Sequence, residues 1–333
     1  SIEGKLVAVN IADGSSRSSE PLKAKPTSGF GCAAPMGGGG CTPSPTGVAI
    51  YGTPAVAGDL VYIAGYNGKI YAFNSSSLQM KEDYPPEDYL QPIVGGLVVA
   101  LGKVYFGCSD GKVYALDAAS LEKDWEFETG DKIWSTPAID GNMLYIGSFD
   151  KKLYAIDATT GKEKWGFEMG GAIVSTPLVY NNTVYIGSLD RHLYAIKAMS
   201  GSMIWKSNVE ADKWFWAKPV VYNNTIYAGN LDGKVYILNA ETGDEVADAI
   251  DLGSPVSSSP VLVDGAIIIA SENGQVWTIN TGNNQESKLK NLEEKIYAPL
   301  YAGEGVVYIH TQKGILYEVD VGMKAMRQLY PIE

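Results

Sequence analysis

A strand-like signature recurs eight times along the 333 residues, and it constrains the fold more than any other feature of the chain. The copies read GKLVAVN, GKIYAFN, GKVYALD, KKLYAID, RHLYAIK, GKVYILN, GQVWTIN and GILYEVD. Their equivalent positions are Val7, Tyr71, Tyr114, Tyr154, Tyr194, Tyr236, Trp277 and Tyr317, spaced by 64, 43, 40, 40, 42, 41 and 40 residues. Self-similarity with a period near 40 residues is typical of a repeat architecture.

Each unit divides into four short strands joined by tight turns. Residues 136–168 show the pattern, because TPAID, MLYIGS, LYAIDA and EKWGFE alternate apolar and polar positions as half-buried strands do. Dipeptides such as Asp-Gly, Asn-Asn and Thr-Gly supply the positive backbone angles that short hairpins need. No window has a helical period. The sequence therefore predicts an all-β protein, a β-propeller of four-stranded antiparallel blades.

Two signals in the sequence predict different numbers of blades. Eight copies of the third-strand signature favour eight blades, with the first blade incomplete because residues 1–22 supply only its third and fourth strands. The proline that precedes a first strand occurs seven times, which favours the alternative of seven blades and an additional hairpin; these prolines are Pro54, Pro92, Pro137, Pro177, Pro219, Pro260 and Pro299. In either case residues 1–333 form a single domain, and the Gly/Pro-rich residues 23–52 form an inserted loop.

Three tryptophans occupy the fourth strand of consecutive units. Trp125, Trp165 and Trp205 are each 40 residues apart, and the corresponding positions elsewhere are Ser18, Glu82, Ala247, Lys288 and Gln328. A large flat side chain repeated once per blade suits stacking between blades, where it buries on the order of 200 Å². We expect these indoles to be structural docking residues in the propeller wall.

The segments ALDAASLEKDW, AIDATTGKEKW and AIKAMSGSMIW resemble the tryptophan-docking motif of the pyrroloquinoline-quinone (PQQ) repeat superfamily. The resemblance covers nearly the whole chain, residues 23–52 excepted, and it implies a propeller. The superfamily includes dehydrogenases that bind PQQ and Ca²⁺, and non-enzymatic members such as the propeller lipoprotein of the outer-membrane assembly machinery. The dehydrogenases have adjacent cysteines and a calcium ligand set, and no motif in this sequence matches either. Fold alone does not transfer a reaction.

The charge and the cysteines bound the function further. A net charge of −12 argues against nucleic-acid binding, and there are only two histidines for a metal site or a catalytic triad. No apolar run has the length of a membrane span, although an upstream anchor is compatible with the sequence. Cys32 and Cys41 are the two ends of the segment CAAPMGGGGC, and they predict a disulfide. A disulfide indicates an extracytoplasmic location, which is periplasmic, secreted or at the cell surface. The alternative is a soft-metal site in which Met36 joins the two cysteines.

Aromatic and charged residues recur in the loops that lead into the first strands. In a propeller these loops open on one face near the central channel. The candidate partner-binding residues are Tyr51, Tyr89, Trp134, Lys213, Trp214, Phe215, Trp216 and Tyr297. Such a rim has the composition of a protein-binding surface. The same aromatics could instead plug the channel as core, or stack on a sugar or quinone.

These observations lead to one main functional expectation. The chain is predicted to be a monomeric, non-enzymatic scaffold that binds a protein or peptide partner through an aromatic-rimmed funnel, without a cofactor or metal. The alternatives are a PQQ/Ca²⁺-dependent quinoprotein oxidoreductase and a propeller that binds a sugar or another small ligand.

Overall fold

A computed structural model describes residues 4–22 and 48–331, and every regular element in these residues is a β-strand. The first two strands, β1 (Val7–Val9) and β2 (Ser16–Ser18), form a separate two-stranded sheet, called the N-terminal hairpin below. The other 28 strands form seven four-stranded antiparallel sheets, or blades, each built from four consecutive strands.

The strands of the first four blades are short and follow one another closely. Blade 1 contains β3 (Ala55–Ala57), β4 (Leu60–Gly65), β5 (Lys69–Asn74) and β6 (Met80–Tyr84). Blade 2 contains β7 (Leu97–Ala100), β8 (Lys103–Gly107), β9 (Lys112–Asp117) and β10 (Lys123–Glu128). Blade 3 contains β11 (Ala138–Asp140), β12 (Met143–Gly147), β13 (Lys152–Asp157) and β14 (Glu163–Glu168). Blade 4 contains β15 (Leu178–Tyr180), β16 (Thr183–Gly187), β17 (Leu193–Lys197) and β18 (Met203–Lys206).

The last three blades repeat the same order. Blade 5 contains β19 (Val220–Tyr222), β20 (Thr225–Gly229), β21 (Lys234–Asn239) and β22 (Glu245–Asp251). Blade 6 contains β23 (Val261–Val263), β24 (Ala266–Ala270), β25 (Gln275–Asn280) and β26 (Glu286–Asn291). Blade 7 contains β27 (Tyr301–Ala302), β28 (Val306–His310), β29 (Leu316–Asp320) and β30 (Met326–Tyr330). The first strands of neighbouring blades contact each other at several junctions, which places them around the central channel.

The preference for eight blades is wrong, and the all-β propeller prediction is confirmed. The described residues form seven four-stranded sheets, whereas β1 pairs with β2 alone. The signature GKLVAVN misled the count because it specifies a third strand and its turn, and it does so even where no first and second strands accompany it. The seven-blade alternative with an additional hairpin describes the structure.

The core consists of apolar layers between successive blades. At the junction of blades 3 and 4, for example, Tyr145 and Ala155 on blade 3 pack with Val184 and Ile186 on blade 4. Five more layers of this kind join the other neighbours from blade 1 to blade 7. A smaller layer joins blade 1 to the residues around the hairpin, where Leu22 is buried and Leu6 packs beside it.

The three repeated tryptophans lie at these junctions. The indole Nε1 of Trp125 donates to the backbone oxygen of Ala158 at 3.1 Å, and those of Trp165 and Trp205 donate to Ala198 and Ala240 at 2.9 and 3.0 Å. Each acceptor lies in the turn between the third and fourth strands of the next blade. The indoles therefore contact the neighbouring blade, and none of them lines the central cavity.

A glycine in the next blade accompanies each of these tryptophans. Gly201 has a φ of +69°, and a Cβ added to it would lie 2.6 Å from a ring atom of Trp165. Gly161 faces Trp125 and Gly243 faces Trp205 in the same way. The strand register puts Glu82, Ala247, Ser287 and Arg327 at the tryptophan position of the other blades, and Arg17 at that position of the hairpin. The sequence alignment on Ser18, Lys288 and Gln328 is therefore wrong by one residue.

The predicted loop 23–52 is described only at its end. Val48 is buried against blade 1, and Ile50 packs beside it. The predicted disulfide of Cys32 and Cys41 lies outside the described residues. Cys108 is a free, buried cysteine, and burial raises the pKa of its thiol to about 12, so that it stays protonated and unreactive at neutral pH.

Candidate functional site: an aromatic funnel at the channel mouth

The loops that lead into the first strands of all seven blades share one four-position pattern. The first position is apolar and packs into the wall; its residues are Ile50, Ile93, Ile133, Ile173, Phe215, Val256 and Ile296. The second position lines a cavity of about 800 Å³; its residues are Tyr51, Val94, Trp134, Val174, Trp216, Ser257 and Tyr297. The third position is small. The fourth position also lines the cavity; its residues are Thr53, Gly96, Thr136, Thr176, Lys218, Ser259 and Pro299.

The buried first position fixes the orientation of the second. The backbone N–H of Ile133 donates to the carbonyl of Cys108 at 3.1 Å, and Ile173 makes the same bond to Ser148 at 3.0 Å. The side chain of Ile133 fills the space beside Gly107, where an added Cβ would lie 2.2 Å from it. Because side chains alternate along an extended segment, the next residue projects toward the channel. The second positions therefore form a ring, called the funnel ring below.

Four of the eight predicted partner-binding residues are in the funnel ring. Tyr51 and Tyr297 are 63% and 42% exposed, so both have surface available for a ligand. The Trp134 indole donates to Ser109 Oγ at 3.2 Å and packs edge-on against Phe149 at 4.8 Å between ring centroids. Trp216 completes the set of four aromatics around the cavity.

The run Lys213-Trp214-Phe215-Trp216 is divided between three environments. Phe215 is 2% exposed and packs edge-on against Tyr236, with ring centroids 5.4 Å apart, so it is part of the wall. Trp216 lines the cavity. Lys213 and Trp214 are exposed and lie outside the cavity lining. The inclusion of Phe215 among accessible residues is thus not supported by its placement.

Tyr89 lies away from the funnel. It lines a second cavity of about 750 Å³ between blade 1 and the hairpin, and the Nζ of Lys69 lies 5.2 Å from its ring centroid. Lys69 is buried and pairs with Asp83 at 2.8 Å. The structure therefore does not bring Tyr89 together with the other aromatics.

The sequence analysis did not predict that the residues at the fourth position line the cavity. The hydroxyl of Thr136 accepts a hydrogen bond from the backbone N–H of Gly96 at 2.7 Å, and Ser259 Oγ accepts one from Lys218 N at 3.1 Å. These bonds join neighbouring blades beside the cavity. The available signal was the residue before each marker proline, which is Thr, Ser or Lys in five of the seven loops.

Lys218 is the one cation at this position of the described loops. No ion-pair partner is found for its ammonium group among the described residues, and burial lowers its pKa below the ordinary value of 10.5. Removal from water without a nearby counter-charge disfavours the charged form of a lysine. The fourth position therefore combines hydroxyl groups with a lysine that has no ion-pair partner among the described residues.

The funnel does not have the composition of a quinone and calcium site. The described residues bring no three His, Cys, Asp or Glu side chains together in a way that could hold a metal ion. Glu272 and His310 line the cavity, and none of its described lining residues is a cysteine. Calcium needs six to eight oxygen ligands, several of them carboxylates. The residues present do not fit this group.

Comparison with known proteins agrees with the architecture. The family model described as outer membrane protein assembly factor BamB matches residues 2–126 and 109–327. The crystal structure of BamB from Moraxella catarrhalis superposes with a TM-score of 0.70 at 20% identity, covering 81% of this chain and 83% of that chain. The computationally designed Ika8 protein superposes with a TM-score of 0.75 at 18% identity, covering 84% and 86%. A comparison with curated proteins finds no significant match.

The described residues contain no helix with the length and hydrophobicity needed to span a membrane.

The two solved structures establish the fold alone, because their sequence identity is low. The family match extends over almost all seven blades and the hairpin. By its repeats, its blade architecture and this match, the chain belongs to the BamB family of PQQ-repeat β-propellers.

Proposed function

We propose that this chain is a non-enzymatic scaffold that binds a protein or peptide partner outside the cytoplasm, at the funnel ring. The observation that carries the proposal is the placement of Tyr51, Trp134, Trp216 and Tyr297 around one open cavity. Aromatic side chains are enriched where proteins bind other proteins, because they bury a large area at a small cost in conformational entropy. Family membership supports the same direction, since the family is described as an outer membrane protein assembly factor.

The shape of the cavity suits a side chain or a short peptide segment better than a flat protein surface. Its volume of about 800 Å³ lies within the range of small-ligand pockets. Lys218, which lines the cavity, is suited to a carboxylate, whether an acidic side chain or the carboxyl end of a peptide. We therefore expect the partner to present an apolar or aromatic group with an acidic group beside it.

The test is a selection of random twelve-residue peptides displayed on phage against the immobilised full chain. Selected peptides are then measured by fluorescence polarisation on the wild type and on Trp134→Ala combined with Trp216→Ala. We expect the double variant to weaken binding at least about 100-fold, because each truncated hot-spot aromatic costs about 2 kcal/mol or more. Tyr180→Ala is the matched control, because Tyr180 is an exposed tyrosine at the opposite end of a first strand.

Three results would contradict the proposal. Unchanged affinity in the double variant would place binding elsewhere. Selective binding of a glycan on an array, without peptide enrichment, would favour the small-ligand alternative. Stoichiometric uptake of PQQ with Ca²⁺ and dye reduction would favour an oxidoreductase. Equal thermal midpoints of the wild type and the double variant are required before any loss of binding is interpreted.

A further inference from the structure

Apolar and polar residues lie on different sides of the funnel cavity. The loops into blades 2, 3 and 4 contribute apolar residues at the second position, which are Val94, Trp134 and Val174. The loops into blades 5 and 6 contribute an ammonium group and two hydroxyl groups, which belong to Lys218, Ser257 and Ser259. We call the first set of three residues the apolar side of the funnel and the second set the polar side.

The three residues of the polar side lie close together. The backbone N–H of Lys218 donates to Ser259 Oγ at 3.1 Å, so the loops into blades 5 and 6 are in contact at this point. Between the two cavity-lining serines, Ser258 is buried and donates to the backbone oxygen of Ala270 at 2.8 Å. Because side chains alternate along an extended segment, Ser257 and Ser259 both face the cavity while Ser258 faces the wall.

Each residue of the polar side has a hydrogen available for a ligand. Ser257 Oγ is buried and has no hydrogen-bond partner among the described residues. The ammonium group of Lys218 likewise has no ion pair within the described part of the chain. Ser259 Oγ accepts the backbone N–H of Lys218 and retains its own hydrogen to donate. Buried polar groups are normally partnered, so three donors without an acceptor indicate that a ligand supplies one.

The carboxylates of the chain itself do not supply this acceptor. Glu272 is the one acidic residue among the described residues that line the cavity, and it forms no ion pair with Lys218. Residues 23–47, which lie outside the described ranges and lead into the first loop of the funnel, contain no aspartate or glutamate. The other acidic residues outside those ranges, Glu3 and Glu333, are within two residues of positions 4 and 331, neither of which lines the cavity.

We propose that Lys218, Ser257 and Ser259 bind the carboxylate of the ligand, and that the apolar side receives the aliphatic or aromatic group attached to that carboxylate. Because the seven loops follow blade order around one channel, the loops into blades 2 and 3 lie across it from the loop into blade 6. A few polar groups in a largely apolar pocket fix the orientation of a ligand. The inference rests on the proposed function for the peptide nature of the ligand, and it adds the direction in which the ligand binds.

The probes are N-acetyl-leucine, which joins one carboxylate to one apolar group, and its neutral counterpart N-acetyl-leucinamide. Saturation-transfer NMR measures the binding of both compounds to the full chain. We expect the acid to bind about tenfold more tightly than the amide, or more, because hydrogen bonds to a charged acceptor are the stronger ones. Acetate lacks the apolar group and should bind more weakly than N-acetyl-leucine.

Four variants separate the contacts. Lys218→Met should abolish the preference for the acid over the amide, whereas Lys218→Arg retains the charge and should preserve it. Ser257→Val introduces the residue that the loops into blades 2 and 4 have at this position, and it should weaken the acid about threefold or more. Lys213→Met is the control, because Lys213 is exposed in the same loop as Lys218 and lies outside the cavity lining.

A third probe distinguishes the two sources of a carboxylate in a peptide, its carboxyl end and an acidic side chain. The amide-capped dipeptide N-acetyl-leucyl-aspartate has its one carboxylate on the aspartate side chain. The acid that binds more tightly identifies the source, and a preference of either acid over N-acetyl-leucinamide that depends on Lys218 supports the proposal.

The possible results separate this proposal from the proposed function. Equal binding of the acids and the amide, or a preference that survives Lys218→Met, overturns the carboxylate site. The funnel proposal still stands in that case if the selected peptides lose affinity in Trp134→Ala with Trp216→Ala. Absence of binding by both acids up to their solubility limits also overturns the site. If a variant misfolds, thermal melts of the wild type decide, since N-acetyl-leucine should raise its midpoint more than the amide does.

Discussion

At the scale of single residues, environment separates side chains that the sequence places side by side. Trp214, Phe215 and Trp216 are consecutive aromatics, yet one is exposed, one is buried in the wall and one lines the cavity. Alternation along an extended segment explains why Phe215 faces the wall while its two neighbours face away from it. Lys218 is the clearest case of a residue whose chemistry is set by its place, because its ammonium group is half-buried without an ion pair among the described residues.

The lowered pKa of Lys218 has a consequence for stability. In the pH range between its pKa in the folded chain and its ordinary value of 10.5, the unfolded chain binds more protons. Stability therefore rises with pH across that range, and the cost of the buried charge is fully present below it. We expect Lys218→Met to raise the thermal midpoint at pH 7, with an advantage that shrinks as the pH approaches 10.5. Thermal melts from pH 6 to 10.5 measure this.

Lys213→Met is the control for that experiment, since Lys213 is exposed in the same loop. An equal midpoint for the wild type and Lys218→Met at pH 7, or an advantage that grows with pH, would contradict the interpretation. The same variant bears on the funnel, because a peptide that carries a carboxylate should lose affinity for it.

At the scale of the elements, the sequence predicts strands and turns well and junctions less well. The alternating pattern and the Asn-Asn and Thr-Gly turns indicated the blades, because these signals are local. The pairing of Trp165 with Gly201 could not be predicted as a contact, because it joins two repeats across a junction. The two strands of the hairpin were predicted, but they were wrongly counted as a blade, since a local signature does not show whether two strands form a sheet of their own.

The pairing of tryptophan and glycine predicts a specific loss of stability. Gly201→Ala places a methyl group against the Trp165 indole and also forces a non-glycine residue to positive φ. Gly141→Ala has a similar φ of +55° but open space, so it isolates the backbone cost of roughly 1–2 kcal/mol. We expect Gly201→Ala to lower the free energy of unfolding by about 1–3 kcal/mol more than Gly141→Ala does.

Denaturant unfolding of the two variants measures this difference. A double-mutant cycle with Trp165→Ala shows whether the excess arises at the indole, because the excess should disappear once the indole is removed. Equal losses for Gly201→Ala and Gly141→Ala would mean that the indole does not press against the turn of the next blade.

At the scale of the whole molecule, the described residues form six apolar junctions between blades, whereas blade 7 meets the N-terminal hairpin through a polar contact in which Arg327 donates to the backbone oxygen of Ile11. The fold and most of the funnel follow from the repeat, because each loop occupies the same place in its unit. The hydrogen bonds between blades at the fourth position and the contact of blade 7 with the hairpin do not, because both depend on where residues from different repeats meet.

The polar contact of Arg327 predicts local opening at the hairpin. Arg327→Met removes the hydrogen bonds to Ile11 and Ala12, which we expect to cost about 1 kcal/mol and to speed hydrogen exchange in residues 5–19 without affecting blades 2–6. Arg191→Met is the control, since Arg191 pairs with Glu210 within one blade. Uniformly faster exchange over all blades would instead indicate that Arg327 supports the entire ring.

The contact between Arg327 and the backbone of Ile11 and Ala12 also affects the width of the funnel. A propeller whose blades all pack through apolar layers has a fixed channel diameter. A propeller in which one contact depends on a guanidinium can widen or narrow at that contact at a small cost in free energy. Tyr51, Trp134, Trp216 and Tyr297 are carried by a propeller of this second type. We therefore expect the diameter of the funnel to vary more than that of a fully apolar ring, so that the same four aromatics can bind ligands of different widths.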